Sequence, residues 1–274
     1  MNSILSRLVL ACVLLPCLWT VAGAQAVSFP EPGAAIPGHP DVTYLDLAKM
    51  IVPDGGSQPV QIRHITGGDE GGSPPPAAMP AAAVLTIWAG GKDRLVMLYD
   101  LGQSSDSAEG FAVLALYDLS GKPRLLDAAN VAVDRSTSFR EPAKLPLGAG
   151  DDAIVTMSTH FNSNQGYVGT LLIMVREDRF ELIDAIYTFD ENYCAYRRTQ
   201  SLAFQTNAKK RPYAAIKVTV TDATEPSDES CDDTPPKAAS HDISVTYRWD
   251  KAASHYKADS DAFERLSAEN EKRF

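Results

Sequence analysis

From residue 83 onward the chain is written mostly in short apolar runs rich in β-branched and aromatic residues, separated by polar turns. Residues 83–88 and 94–101 bracket AGGKD, the signature of a tight hairpin. Residues 153–161 and 167–175 flank NSNQG, whose Asn, Ser and Gly are turn formers, and a charged turn, REDR, leads into residues 180–189. Ile243, Val245, Tyr247 and Trp249 alternate with Ser244, Thr246 and Arg248, which predicts a strand with one wet face. Residues 95–99 are apolar throughout and are expected to be covered on both sides.

The runs repeat. Residues 93–131, 151–189 and 211–258 each read strand, polar loop, strand, tight charged turn, strand, with SGK in the first unit answering RED in the second. In the first two units the third strand carries an aliphatic residue before an aspartate, Leu126-Asp127 and Ile183-Asp184. Residues 132–139 and 195–204 offer a possible fourth strand between units. The expected fold is mainly β, made of antiparallel meander repeats arranged as propeller-like blades or as a two-layer sandwich. The layout resembles the blades of FG-GAP or VCBS-type propellers. Their acidic D-x-D-G calcium loop is absent from the sequence, so the resemblance implies no ligand or function.

Short helices are expected near both ends. Thr43-Tyr44-Leu45-Asp46 has capping-box spacing, and Tyr44, Leu47, Ala48 and Ile51 form an apolar stripe ended by Pro53. At the other end Asp261 and Glu264 have the same spacing, Glu269 and Arg273 are placed to pair, and Phe263, Leu266 and Phe274 are set to dock the helix. Residues 25–41, rich in Pro, Gly and Ala, predict an extended lead-in rather than a packed element, and residues 67–80 predict a mobile loop. The rest, 42–274, reads as one β-rich domain with a further strand at residues 60–65.

Residues 1–24 read as a secretory signal peptide, with Arg7, an apolar core and Ala22-Gly23-Ala24 as cleavage site. The apolar run is too short for a membrane span and holds Pro16, so the chain is not expected to be an integral membrane protein. The expected home is the periplasm or the exterior. Of the four cysteines, Cys12 and Cys17 leave with the signal, and Cys194 and Cys231 are expected to pair in an oxidising compartment. The net charge is −10 and becomes about −11 once Arg7 is removed, a balance that argues against nucleic acid as a partner.

No G-x-S-x-G, H-E-x-x-H or paired metal-spaced histidines occur, and no cofactor is implied. Asp100, Asp106 and Glu109, and the acidic group from Asp222 to Asp233, lack the regular spacing of a calcium loop. The basic group Lys209, Lys210 and Arg211 fits a solubilised turn, and Trp88 and Trp249 are expected to pack in or half in the core. The densest polar constellation is His160, Asn162, Asn164, Gln165 and Tyr167, at the first turn of the central unit. A histidine beside amides can orient a sugar or peptide, or serve as a general base. The functional expectation is a non-catalytic binding or interaction module of the bacterial cell envelope, with an unknown protein or an envelope glycan as partner. The alternatives are a periplasmic hydrolase using His160, and an inhibitor or immunity-type protein that binds a cationic enzyme.

Overall fold

The computed structural model describes residues 27–51, 62–67, 81–103, 109–208, 212–227, 231 and 234–273. The signal segment, most of the 67–80 loop, Lys209 to Arg211, Asp106, the acidic residues 228, 229, 232 and 233, and Phe274 lie outside them. The chain is mainly β, as its alternation predicts. Two sheets carry most of it, one of five strands and one of eight.

In chain order the five-stranded sheet is built from β3 (Arg63–His64), β4 (Ala83–Ala89), β5 (Lys92–Gln103), β6 (Gly110–Asp118) and β7 (Arg124–Asn130), in the spatial order β3-β7-β6-β5-β4. The eight-stranded sheet is an uninterrupted antiparallel meander: β8 (Ser136–Gly148), β9 (Asp151–Phe161), β10 (Gln165–Arg176), β11 (Arg179–Tyr193), β12 (Tyr196–Thr206), β13 (Ile216–Pro226), β14 (Ala239–Asp250) and β15 (His255–Ala258). The AGGKD turn forms as read, with Gly90 and Gly91 at φ 59 and 70, where glycine carries no steric penalty.

Three apolar cores separate the layers. The first lies between the five-stranded sheet and β8–β11, where Leu85, Leu98, Leu114 and Leu116 meet Ile154, Leu171, Ile173 and Phe180. Because side chains alternate across a strand, Val155, Leu172 and Met174 face the opposite way. They enter a second core shared with Val218, Val220, Val245 and Tyr247. The eight-stranded sheet therefore curls, and the Ala214 N–H donates to Leu147 O at 2.8 Å where the curl brings the start of β13 to the β8 edge. The ladder does not close, since β8 and β15 remain its two ends. The layered alternative is thus realised, without blades around an axis.

The strands that fall in residues 93–131, 151–189 and 211–258 are the consecutive antiparallel β5–β7, β9–β11 and β13–β15. The first two share a finer feature. Leu126 is the extra residue of a bulge between β6 and β7, and Ile183 is the extra residue of a bulge between β10 and β11. The aspartate after each bulge is used structurally. Asp127 accepts from Arg63 Nη2 at 2.7 Å and the Phe180 N–H at 2.8 Å across the sheet interface, and Asp184 accepts the Tyr247 hydroxyl across the second core. The two candidate fourth strands differ: β12 pairs with β11, over three residues, and so continues the second unit. β8 leaves the first meander to pair with β9, in the other sheet.

The N-terminal helix α1 (Tyr44–Ala48) is short and capped as predicted. Thr43 Oγ1 accepts the Asp46 N–H at 3.2 Å, and Asp46 accepts the Thr43 N–H at 2.8 Å. With Leu47, Ala48 and Ile51 it covers the third core, on the outer face of the five-stranded sheet. Most of the lead-in is exposed. It contains the hairpin β1 (Ala35–Ile36) and β2 (His39–Thr43), buries Ile36, and is pinned where Ser28 exchanges two backbone hydrogen bonds with Val84. Its prolines leave enough free N–H groups for this pairing.

At the other end α2 (Ala262–Glu271) docks through Phe263 and Leu266. Its expected capping box is not formed. Asp261 makes no cap bond and instead pairs with Arg265 one turn on. Arg273 likewise turns from Glu269 to Glu191, at 3.7 Å. Trp88 is 46 % exposed, whereas Trp249 stacks on Tyr213 at 4.0 Å.

Cys194 and Cys231 form a disulfide, joining the β11–β12 turn to the β13–β14 loop. Among the described residues no helix is long and apolar enough to cross a membrane.

Candidate functional site

His160 and Tyr167 are direct cross-strand partners on β9 and β10, so their side chains share one face and stack, ring centroids 4.6 Å apart. Phe189, opposite Tyr167 on β11, continues the row at 4.8 Å. The residue that sequence reasoning missed is Asp134. β8 pairs Ser136 with Thr159, and the chain just before β8 therefore passes His160. Both Asp134 carboxylate oxygens lie within 2.8 Å of His160 Nδ1, and Oδ1 also accepts the Arg135 N–H at 2.8 Å. The imidazole is 20 % exposed.

Beside this pair is a cavity of about 230 Å³. Its walls are Asp134 and Val133 from the β7–β8 connection, Tyr167 to Gly169 of β10, Tyr187 to Phe189 of β11, and Ser267, Asn270 and Glu271 of α2. Gly169 keeps the floor low. A Cβ there would sit 2.6 Å from Val133 Cγ2. Burial first, and then the nearby Tyr193 phenol, Glu191 and Asp134, raise the Tyr167 phenol above its ordinary pKa. Burial, followed by Glu109, Asp184 and Asp134, does the same for Tyr187.

The remaining members of the sequence-derived cluster divide. Asn162 is a turn residue, its Oδ1 accepting the N–H groups of Asn164 and Gln165 at 3.0 and 2.9 Å. Gln165 reaches away from His160 to the Arg273 carbonyl at 3.3 Å, tying the turn to the end of α2. Asn164 borders a wider cleft of about 800 Å³ beside the disulfide, with Glu191, Tyr193, Tyr196 and Arg198. The charges of that cleft are already engaged, Arg198 with Asp222 and Glu191 with Arg273.

Behind the cavity β11 and β12 separate after only three paired residues on each strand. Gln200 fills the split. It donates to Asp222 at 3.1 Å, accepts the Phe189 N–H at 3.0 Å, and exchanges two hydrogen bonds with Asn270 of α2. Burial alone would raise the Asp222 pKa, but the Arg198 and Gln200 hydrogen bonds outweigh it and hold the carboxyl below its usual range.

Chemically, an Asp–His pair with the carboxylate on Nδ1 leaves Nε2 to accept or deliver a proton. Among the described residues no serine, threonine or cysteine hydrogen-bonds to that nitrogen. Nor do three or more His, Cys, Asp or Glu side chains converge as a metal site among them. Asp100 is spent on the Gly102 and Thr137 N–H groups. No protein-family model matches the chain, and no curated protein or solved structure is significantly similar to it.

Proposed function

We propose that this chain is an exported, non-catalytic binding module of the bacterial cell envelope, and that its ligand site is the cavity beside His160. The observation that carries this reading is the cavity itself: three aromatic side chains, two acids and the end of α2 enclose a concave, largely apolar space. Such a space suits a group presented by an envelope protein or glycan. Export is supported by the leader-like first 24 residues and by the oxidised Cys194–Cys231 pair. The test is a ligand-observed NMR screen of small amines, sugars and carboxylates against the wild-type chain and Ser267→Trp, which fills the cavity from the helix side. Hits that bind the wild type and are lost in Ser267→Trp are expected. A set of hits indifferent to that change would refute the site.

A second reading, a hydrolase in which His160 is the base, is favoured by the 2.7 Å contact to Asp134. It requires ester or amide hydrolysis that disappears in His160→Ala, and hydrolysis unchanged by that substitution would remove it.

A further inference from the structure

The cavity is chemically biased. Its ionisable carboxylates are Asp134 and Glu271, and among the described residues no lysine or arginine lines it. Glu271 stands exposed at the mouth. Asp134 lies in hydrogen-bond contact with His160 Nδ1 and accepts the Arg135 N–H. Around these acids stand the rings of Tyr167, Tyr187 and Phe189.

Two of the cavity's neutral hydrogen-bonding side chains are, by contrast, already engaged. The Asn270 amide donates to Gln200 Oε1 at 2.8 Å and accepts from Gln200 Nε2 at 3.0 Å. The Thr188 hydroxyl donates to Val168 O. A sugar, whose hydroxyls need several free donors and acceptors, would find the Ser267 and Tyr187 hydroxyls and the two carboxylates. An anion would meet two carboxylates. A cation meets three aromatic rings and formal negative charge beside them.

We infer that the cavity takes a small organic cation, an ammonium or quaternary ammonium group on a short carbon frame, held between the aromatic rings with Asp134 and Glu271 as counter-charges. This rests on the reading of the cavity as a ligand site. The upward displacement of the Tyr167 and Tyr187 phenols, by burial and then by neighbouring acids, agrees with a negative field there. At about 230 Å³ the space lies below the roughly 300–1,000 Å³ of drug-sized sites, so the bound group is small.

The experiment titrates the folded, disulfide-bonded chain with choline and with its neutral isostere, 3,3-dimethylbutan-1-ol, by calorimetry, with methyl glucoside as a sugar control. Choline is expected to bind at least about tenfold more tightly than the alcohol. Glu271→Gln, a change at an exposed helix position, is expected to weaken choline about three- to tenfold and leave the alcohol unaffected. Asp134→Asn should do the same, and Ser267→Trp should abolish both. If the alcohol or the glucoside binds as tightly as choline and is lost in Ser267→Trp, the cation assignment falls while the cavity remains a binding site. Binding of none of the three at millimolar concentration overturns the cation assignment. The amine, sugar and carboxylate screen then decides separately whether the cavity is a site at all.

Discussion

The split between β11 and β12 is where the fold depends most on a few polar atoms, and its cost can be worked through. Asn270 and Gln200 are 7 % and 5 % exposed and exchange two hydrogen bonds. Asn270→Ala removes both, a loss of about 2 kcal/mol at roughly 1 kcal/mol each, because Gln200 keeps Phe189 and Asp222 as partners. Gln200→Ala removes the same two bonds, the bond to Asp222, and the acceptor of a buried Phe189 N–H, together about 4 kcal/mol. If the two side chains act through each other, the double variant loses about 4 kcal/mol rather than the additive 6, a coupling of about 2 kcal/mol. Urea unfolding of the four proteins, followed by circular dichroism, reads this directly. Additivity within about 0.5 kcal/mol would show that the Asn270–Gln200 pairing is incidental to how α2 is held.

Three other outcomes are expected. Replacing both Cys194 and Cys231 by alanine should lower stability by about 4 kcal/mol on chain-entropy grounds, for a 37-residue separation, and an unchanged melting temperature would show that the bridge restrains nothing. Gly169→Ala should destabilise by about 1–3 kcal/mol through its contact with Val133, and adding Val133→Ala in the same chain should recover most of that; no recovery in the melt would place the strain elsewhere. Asp118 is held below the ordinary carboxylate range by the Ser120 N–H and hydroxyl, against burial, and then by Arg124 and Arg94. A depressed folded pKa contributes stability that is complete above the unfolded value near pH 4 and is lost as pH falls toward the folded one. The urea-midpoint gap between wild type and Asp118→Asn should therefore be full at pH 7 and narrow below about pH 4. A gap constant with pH would mean that the charge is not what matters.

The features legible in the sequence are those that neighbouring residues decide among themselves. Thr43 and Asp46 cap a helix because they are three apart, and Gly90-Gly91 turns a hairpin because both residues take positive φ. Leu126-Asp127 and Ile183-Asp184 mark equivalent bulges because each sits at the same place in a local hairpin. His160 and Tyr167 belong to the same class, since one short turn makes them partners. What could not be read is where a strand goes once its local partner is used up. The alternation of β8 is equally compatible with either sheet. The choice depends on Val131 and Ala132 burying themselves in the first core and carrying the chain across to β9. Asp134 rides on that crossing. Its meeting with His160, 26 residues away, had no local signal, and neither did the contribution of Ser267, Asn270 and Glu271 from α2. The one available hint was spacing along β11, where Tyr187 and Phe189 follow Ala185 at alternate positions and so share its face with Tyr167. An aromatic row that extends past the end of the apolar core has no apolar layer left to cover it. In this fold α2 and the Asp134 connection cover the row only in part, and the uncovered remainder is the cavity.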